Sequence, residues 1–118
     1  MKSYIDLIVW QRSIELVERS YVYVKDFPKN EEYGLSSQIK RSVVSIPSNI
    51  AEGYGRNYTI EYIRFLQISR GSLYEFQTQL EIVKRLEFIS EYGFNELSRV
   101  CLEIEKMLNS LISKLKQK

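Results

Sequence analysis

This chain predicts an all-α fold, an antiparallel up-down-up-down four-helix bundle, on three observations. Apolar residues recur at alternating intervals of three and four in four separate stretches, the spacing that gathers side chains on one face of a helix. Short turns join the stretches, which makes consecutive helices antiparallel neighbours. No internal repeat, low-complexity tract or linker divides the 118 residues, 44% of them hydrophobic, so residues 1–118 form one domain around one core.

The first helix is carried by Leu7, Trp10, Ile14, Val17, Tyr21 and Val24, with Asp6 as its cap or first-turn acid and Glu15 paired with Arg19 one turn on. Phe27 and Pro28 end it, because the residue before a proline disfavours helix. Tyr21 to Val24 has strand composition but no second strand to pair with. Asn30 can cap the second helix, with Glu31 and Glu32 in its first turn, although Gly34 allows a start as late as Leu35.

The second helix departs most from generic rules. Ile39, Val43, Ile46 and Ile50 form an ordinary core stripe, but the stripe beside it is Gln38, Ser42, Ser45, Asn49 and Glu52, short polar groups where a solvated face usually carries Lys and Glu. Pro47 removes one backbone donor and predicts a bend in a single helix, since Ile46 cannot cap a new one. Glu52 faces the negative end of the helix dipole and calls for a cationic partner among Arg56, Arg64 and Arg70. Gly53 is expected as the left-handed residue that ends the helix. We read Ser42, Ser45, Asn49 and Glu52 as a polar network locking helix to helix, with a ligand site as the alternative.

The third helix is expected from Thr59 to about Phe88, with Tyr62, Leu66, Ser69, Leu73, Phe76, Leu80 and Val83 as its seam. Phe65, Ile68, Ile82, Leu86 and Ile89 add apolar residues on other faces, surface that another subunit can cover. Gly71 interrupts this helix at a cost of about 1 kcal/mol and reads as the close approach of a neighbour. Ser90 or Asn95 starts the fourth helix, whose seam is Leu97, Cys101, Ile104, Leu108, Leu111 and Leu115. Cys101, inside that seam, reads as a packing thiol. Lys114, Lys116, Gln117 and Lys118 make a cationic end suited to the helix dipole.

Composition narrows the chemistry. One cysteine allows no intrachain disulfide or thiolate cluster, and with no histidine the commonest general base and zinc ligand is missing. There is no phosphate-binding glycine loop, HExxH or nucleophile elbow, and GYGR at Gly53 to Arg56 follows a helix rather than a strand. No catalytic residue, metal, cofactor or small-molecule substrate is therefore expected. Neither a signal sequence nor a bilayer-length apolar run is present, so the chain is expected in the cytoplasm with no membrane partner. The net charge of +2 neither demands nor excludes a polyanion. The candidate nucleic-acid contacts are Lys40, Arg41, Arg56, Arg64 and Arg70, with the tyrosines of YGRNY for stacking; against them, Arg64 and Arg70 lie six positions apart and point in different directions on one helix.

DLIVWQRSIEL, FPKNEEYGLSSQIKRS, SIPSNIAEG and IEYIRFLQISRGSLYE resemble the 23S rRNA intervening-sequence protein family, also called four helix bundle proteins, from Asp6 to about Leu115. SIPSNIAEGYGR followed by FLQISRGSLYE is the specific part. Lys40 stands where the family often has arginine, and Val43 and Val44 where small residues are common. The resemblance implies an antiparallel four-helix protomer assembled as a ring-like homopentamer. It also brings in a similar branch, the accessory variability determinants of diversity-generating retroelements, which bind nucleic acid and work with a reverse transcriptase. The expected function is a non-enzymatic oligomeric scaffold that binds rRNA or a nucleoprotein. The alternative is a protein-interaction module without direct nucleic-acid contact.

Overall fold

Apolar periodicity becomes helix in all four stretches, and the computed structural model, which describes residues 3–117, has four long helices and no strand among them. They are α1 (Ile8–Val24), α2 (Leu35–Tyr54), α3 (Thr59–Arg85) and α4 (Glu91–Lys116), with single 3-10 turns at Tyr4–Asp6 and Lys29–Glu31. Lys118 of the expected cationic end lies outside the described residues. Each helix packs on the next and α4 closes against α1. The body measures 46 × 24 × 21 Å, its length set by α3, whose 27 residues span about 40 Å at about 1.5 Å per residue. None of the helices is long and apolar enough to cross a membrane.

Leu16, Val43, Ile46, Ile50, Leu66, Leu73, Phe76, Val83, Ile104 and Leu108 have no exposed surface. At about 1.5–3 kcal/mol for each fully buried side chain, this shared core is the main force holding the helices together. The stripes expected on α2 (Ile39, Val43, Ile46, Ile50) and on α3 (Leu66 to Val83) are buried as read, and Tyr62 is half-buried. α2 continues through the buried Pro47 as one helix.

Three expectations about helix faces and starts are corrected. On α1 the buried line is Val9, Ser13, Leu16, Ser20 and Val24, so the helix is turned by about one position from the expected seam. Tyr21 is exposed, while Trp10, Ile14 and Val17 are half-buried and border a hollow with Val44 and Pro47 of α2. The two serines win the inner positions because they are small, and the Ser13 hydroxyl satisfies itself on the Val9 carbonyl at 2.7 Å. Asp6 sits in the first 3-10 turn, and Leu7 precedes α1 without a side-chain cap. Asn30 likewise belongs to the 3-10 turn at Lys29–Glu31. α2 takes the later start at Leu35, whose N–H donates to the Glu31 carboxylate at 3.1 Å. On α4 the inner line ends on Ile112, leaving Leu111 and Leu115 half-buried.

Both glycine readings are also corrected. α2 runs past Gly53 to Tyr54, and no glycine among the described residues takes a positive φ. Gly53 is buried, and a Cβ there would lie 2.6 Å from the Cβ of Phe65, so its role is the close approach of α2 to α3. Gly71 is exposed, with nothing within 4 Å of where its Cβ would be. Gly93 fits under Tyr23 of α1, whose ring would be 2.6 Å from an added Cβ. Ser90, the earlier of the two expected starts, caps α4 by accepting from the Gly93 N–H at 3.0 Å.

α3 stops at Arg85, three residues before the expected end, through a left-handed residue that is not glycine. Glu87 has φ 63°, the Phe88 N–H donates to the Val83 carbonyl at 2.8 Å and the Glu87 N–H to the Lys84 carbonyl at 3.0 Å. This is the paired C-terminal motif in which glycine avoids the Cβ penalty. Glu87→Gly is therefore expected to stabilise the protein by about 1 kcal/mol, read as a higher midpoint in urea. An unchanged or lower midpoint would show that the Glu87 side chain compensates its own strain.

Candidate nucleic-acid interface

Two residues of the polar stripe of α2, Ser42 and Ser45, are taken up by α3. The Ser42 hydroxyl lies 2.7 Å from Gln79 Oε1 and 3.1 Å from the Ile39 carbonyl, so its single proton serves the shorter bond, between two buried residues. Ser45 Oγ and Ser72 Oγ share a hydrogen bond at 2.8 Å, and Ser69 Oγ donates to the Ile46 carbonyl at 2.9 Å. Asn49 turns inward along its own helix, Nδ2 donating to the Ser45 carbonyl and Oγ at 2.8 and 2.9 Å. Glu52 stands apart, its side chain 57% exposed and 3.7 Å from Arg56 Nη2, a surface pair worth less than about 1 kcal/mol. Small hydroxyls thus let α2 and α3 approach while satisfying polar atoms across the contact.

The five cations read from sequence do not form one site. Lys40 lies over the Tyr21 ring at 5.2 Å from its centroid, on the α1 side of α2. Arg56 is taken up by Glu52 and by the face of Phe65, 4.8 Å from the ring centroid. Arg41 is exposed. Arg64 and Arg70 line different hollows. Arg64 lines a hollow of about 810 Å³ between α3 and α4, Arg70 lines one of about 560 Å³, and Lys116 of α4 lines both. No acidic side chain lines either hollow. Among the described residues, no carboxylate lies within ion-pair distance of Arg41, Arg64, Arg70 or Lys116. Arg70 Nη1 donates instead to the neutral Asn109 Oδ1 at 2.8 Å, which fixes the guanidinium without cancelling its charge. Sequence reading missed Lys116, placing it only at a helix end. The signal was its position in the last turn of α4, a helix that packs on α3.

Other arginines are paired with carboxylates. Arg12 pairs with Glu15 and with Glu103 of α4, and Arg19 with Glu15 at 3.8 Å and with Glu96 at 3.2 Å. Glu96 also accepts from the Tyr23 hydroxyl, and that bond, helped by burial, pushes the phenol up to about 12. Cys101 is buried and its thiol is pushed up to about 12 by burial, with Glu105 adding to it, so it carries no thiolate chemistry at neutral pH.

Three comparisons bear on this arrangement. The chain matches the family model described as 23S rRNA-intervening sequence protein over residues 5–110. It is similar to a solved crystal structure from Bacteroides thetaiotaomicron, a protein with unknown function from the S23 ribosomal protein family. That similarity has 29% sequence identity and a TM-score of 0.83, and covers 89% of this chain and 98% of that one. No curated protein matches the chain.

Proposed function

Because the chain belongs to the 23S rRNA-intervening sequence protein family, we propose that it is a non-enzymatic, oligomeric four-helix protein of the cytoplasm that binds rRNA or an rRNA-containing nucleoprotein through a basic surface. The observation that carries this reading is that Arg64 with Lys116 lines one hollow and Arg70 with Lys116 another, on α3 and α4, with no carboxylate in either lining. Repeated around a symmetry axis, a modest basic patch becomes a strong local field.

The protomer is proposed as an antiparallel up-down-up-down bundle. Reciprocal numbering across the contacts supports it: Ser42 meets Gln79 while Ser45 meets Ser72, and Arg12 meets Glu103 while Arg19 meets Glu96. A homopentamer is proposed from the family resemblance and is supported by the exposed Ile68 and Ile82 of α3 and Leu86 just past its end, apolar surface that one protomer leaves open. The same resemblance extends the proposal to a partner like the reverse transcriptase of diversity-generating retroelements, which co-purification would reveal.

The second reading is a module that docks a protein, favoured by the exposed Tyr33, Tyr58 and Tyr92. It has less to work with on α2, where Ser42 and Ser45 are already bonded to α3. A pull-down that recovers only the chain itself counts against it.

Two measurements test the main reading. Light scattering is expected to give a mass several times the 14.0 kDa of one chain, and a monomer at micromolar concentration would refute assembly. Fragments of 23S rRNA titrated across a salt series are expected to bind with affinity falling steeply as salt rises. No binding even at low salt removes the nucleic-acid reading.

A further inference from the structure

We infer that the groove between the start of α3 and the end of α4 is a seat for the phosphate backbone of double-stranded RNA, with Arg64, Arg70 and Lys116 each neutralising a phosphate. The inference rests on the nucleic-acid reading above and adds the place, the strand form and the mode of contact. Lys116 lines both hollows, so one cation borders the two. Along α3 the step from Arg64 to Arg70 is about 9 Å at about 1.5 Å per residue. That is of the order of a few phosphate spacings along one strand of a duplex.

The lining favours backbone over base. No aromatic side chain lines either hollow, so the groove offers no platform on which splayed single-stranded bases could stack. Gln67, Asn109 and Ser113 are neutral groups that can reach phosphate oxygens and 2′-hydroxyls. Asn109 already holds one nitrogen of Arg70, leaving the other donors of the guanidinium for a ligand. The acid one helical turn before Asn109, Glu105, accepts from the Tyr74 hydroxyl at 2.8 Å. Recognition of this kind reads shape and charge, so binding depends strongly on salt and weakly on sequence.

The test uses the full chain in its native assembly, with a fluorescent long-stem RNA hairpin and a single strand of the same composition as probes, titrated between about 50 and 200 mM salt. The hairpin is expected to bind more tightly than the single strand. The triple variant Arg64→Gln, Arg70→Gln, Lys116→Gln is expected to lose at least about tenfold in affinity at low salt, and its salt slope to fall by about 0.9 for each cation removed from a contacted groove. A charge-matched control, Lys25→Gln, Lys29→Gln, Arg99→Gln, is expected to bind like the parent.

Ser113→Glu places a carboxylate in the groove while all three cations stay in place, at an exposed position that folding tolerates, and is expected to weaken binding as the triple variant does. If the parent binds but the groove variants bind equally well, or the control loses as much, the groove assignment is wrong and the nucleic-acid reading stands. Equal affinity for single strand and hairpin overturns the assignment to duplex. A parent that binds neither probe at low salt removes both the inference and the reading beneath it.

Discussion

Leucine in place of Gly53 is expected to destabilise the protein by about 3 kcal/mol, lowering the thermal midpoint by roughly 10 °C. A Cβ at position 53 would lie 2.6 Å from Phe65 Cβ, 3.2 Å from Tyr62 Cδ1 and 3.3 Å from the Tyr62 carbonyl. Two of these atoms belong to the backbone or to the first side-chain carbon, so no rotamer change moves them aside. The helices themselves must part. A parting at this end of the contact strains the Ser69–Ile46 and Ser45–Ser72 bonds further along it, so overpacking and weakened hydrogen bonds add. Leucine recovers about 1 kcal/mol of intrinsic helix propensity over glycine, which is too little to reverse the sign.

Gly71→Ala serves as the opposite control: the same kind of substitution where the new methyl meets nothing within 4 Å should stabilise the chain by about 1 kcal/mol. Circular dichroism melts of the two variants read both effects. A Gly53→Leu protein as stable as its parent would sink the account of close approach. A destabilised Gly71→Ala assembly would mean that a neighbouring subunit reaches the exposed side of α3.

These two glycines mark what sequence could and could not convey. A glycine inside a helical pattern signals a need for small size or for unusual φ, but not which one. Gly53 was read as a φ requirement and proved to be a size requirement, while Gly71 was read as a size requirement that one protomer does not impose. The deciding information is the side chain opposite, which no local window contains.

The inner faces of α2 and α3 were legible position by position because their aliphatic residues lie on one stripe with no competing bulk beside it. α1 misled because hydropathy records polarity and not volume: Ser13 and Ser20 pack inward while Trp10 and Tyr21 are turned toward the surface. The left-handed end of α3 was invisible because Glu87 occupies a position where glycine is the usual marker. The site followed the same rule. Arg64 and Arg70 could be named from sequence, but not that Lys116, from the end of another helix, lines the hollow of each.

The Ser42–Gln79 pair gives an asymmetric result: Ser42→Ala is expected to cost about 2 kcal/mol, and Gln79→Leu less than about 1 kcal/mol. Both residues are buried, at 3% and 5% exposure, so no water is at hand to replace a lost partner. Removing the serine hydroxyl strips Gln79 Oε1 of its 2.7 Å donor and leaves an amide oxygen unsatisfied in the interior, the expensive way to break a hydrogen bond. Removing the amide leaves the serine a second acceptor already in reach, the Ile39 carbonyl at 3.1 Å, and leucine fills nearly the volume that glutamine vacates. The Gln79 nitrogen forfeits little, because its contact with Glu75 is 3.4 Å long. With Gln79 already leucine, the further change Ser42→Ala no longer orphans anything, so the double variant should be nearly as stable as Gln79→Leu alone. Urea denaturation of all four proteins measures the coupling as the departure from additivity, expected at about 1–2 kcal/mol. If Gln79→Leu proved the costlier single change, or if the two effects simply summed, the hydroxyls of α2 would be fillers of space and not the polar partners that hold α3.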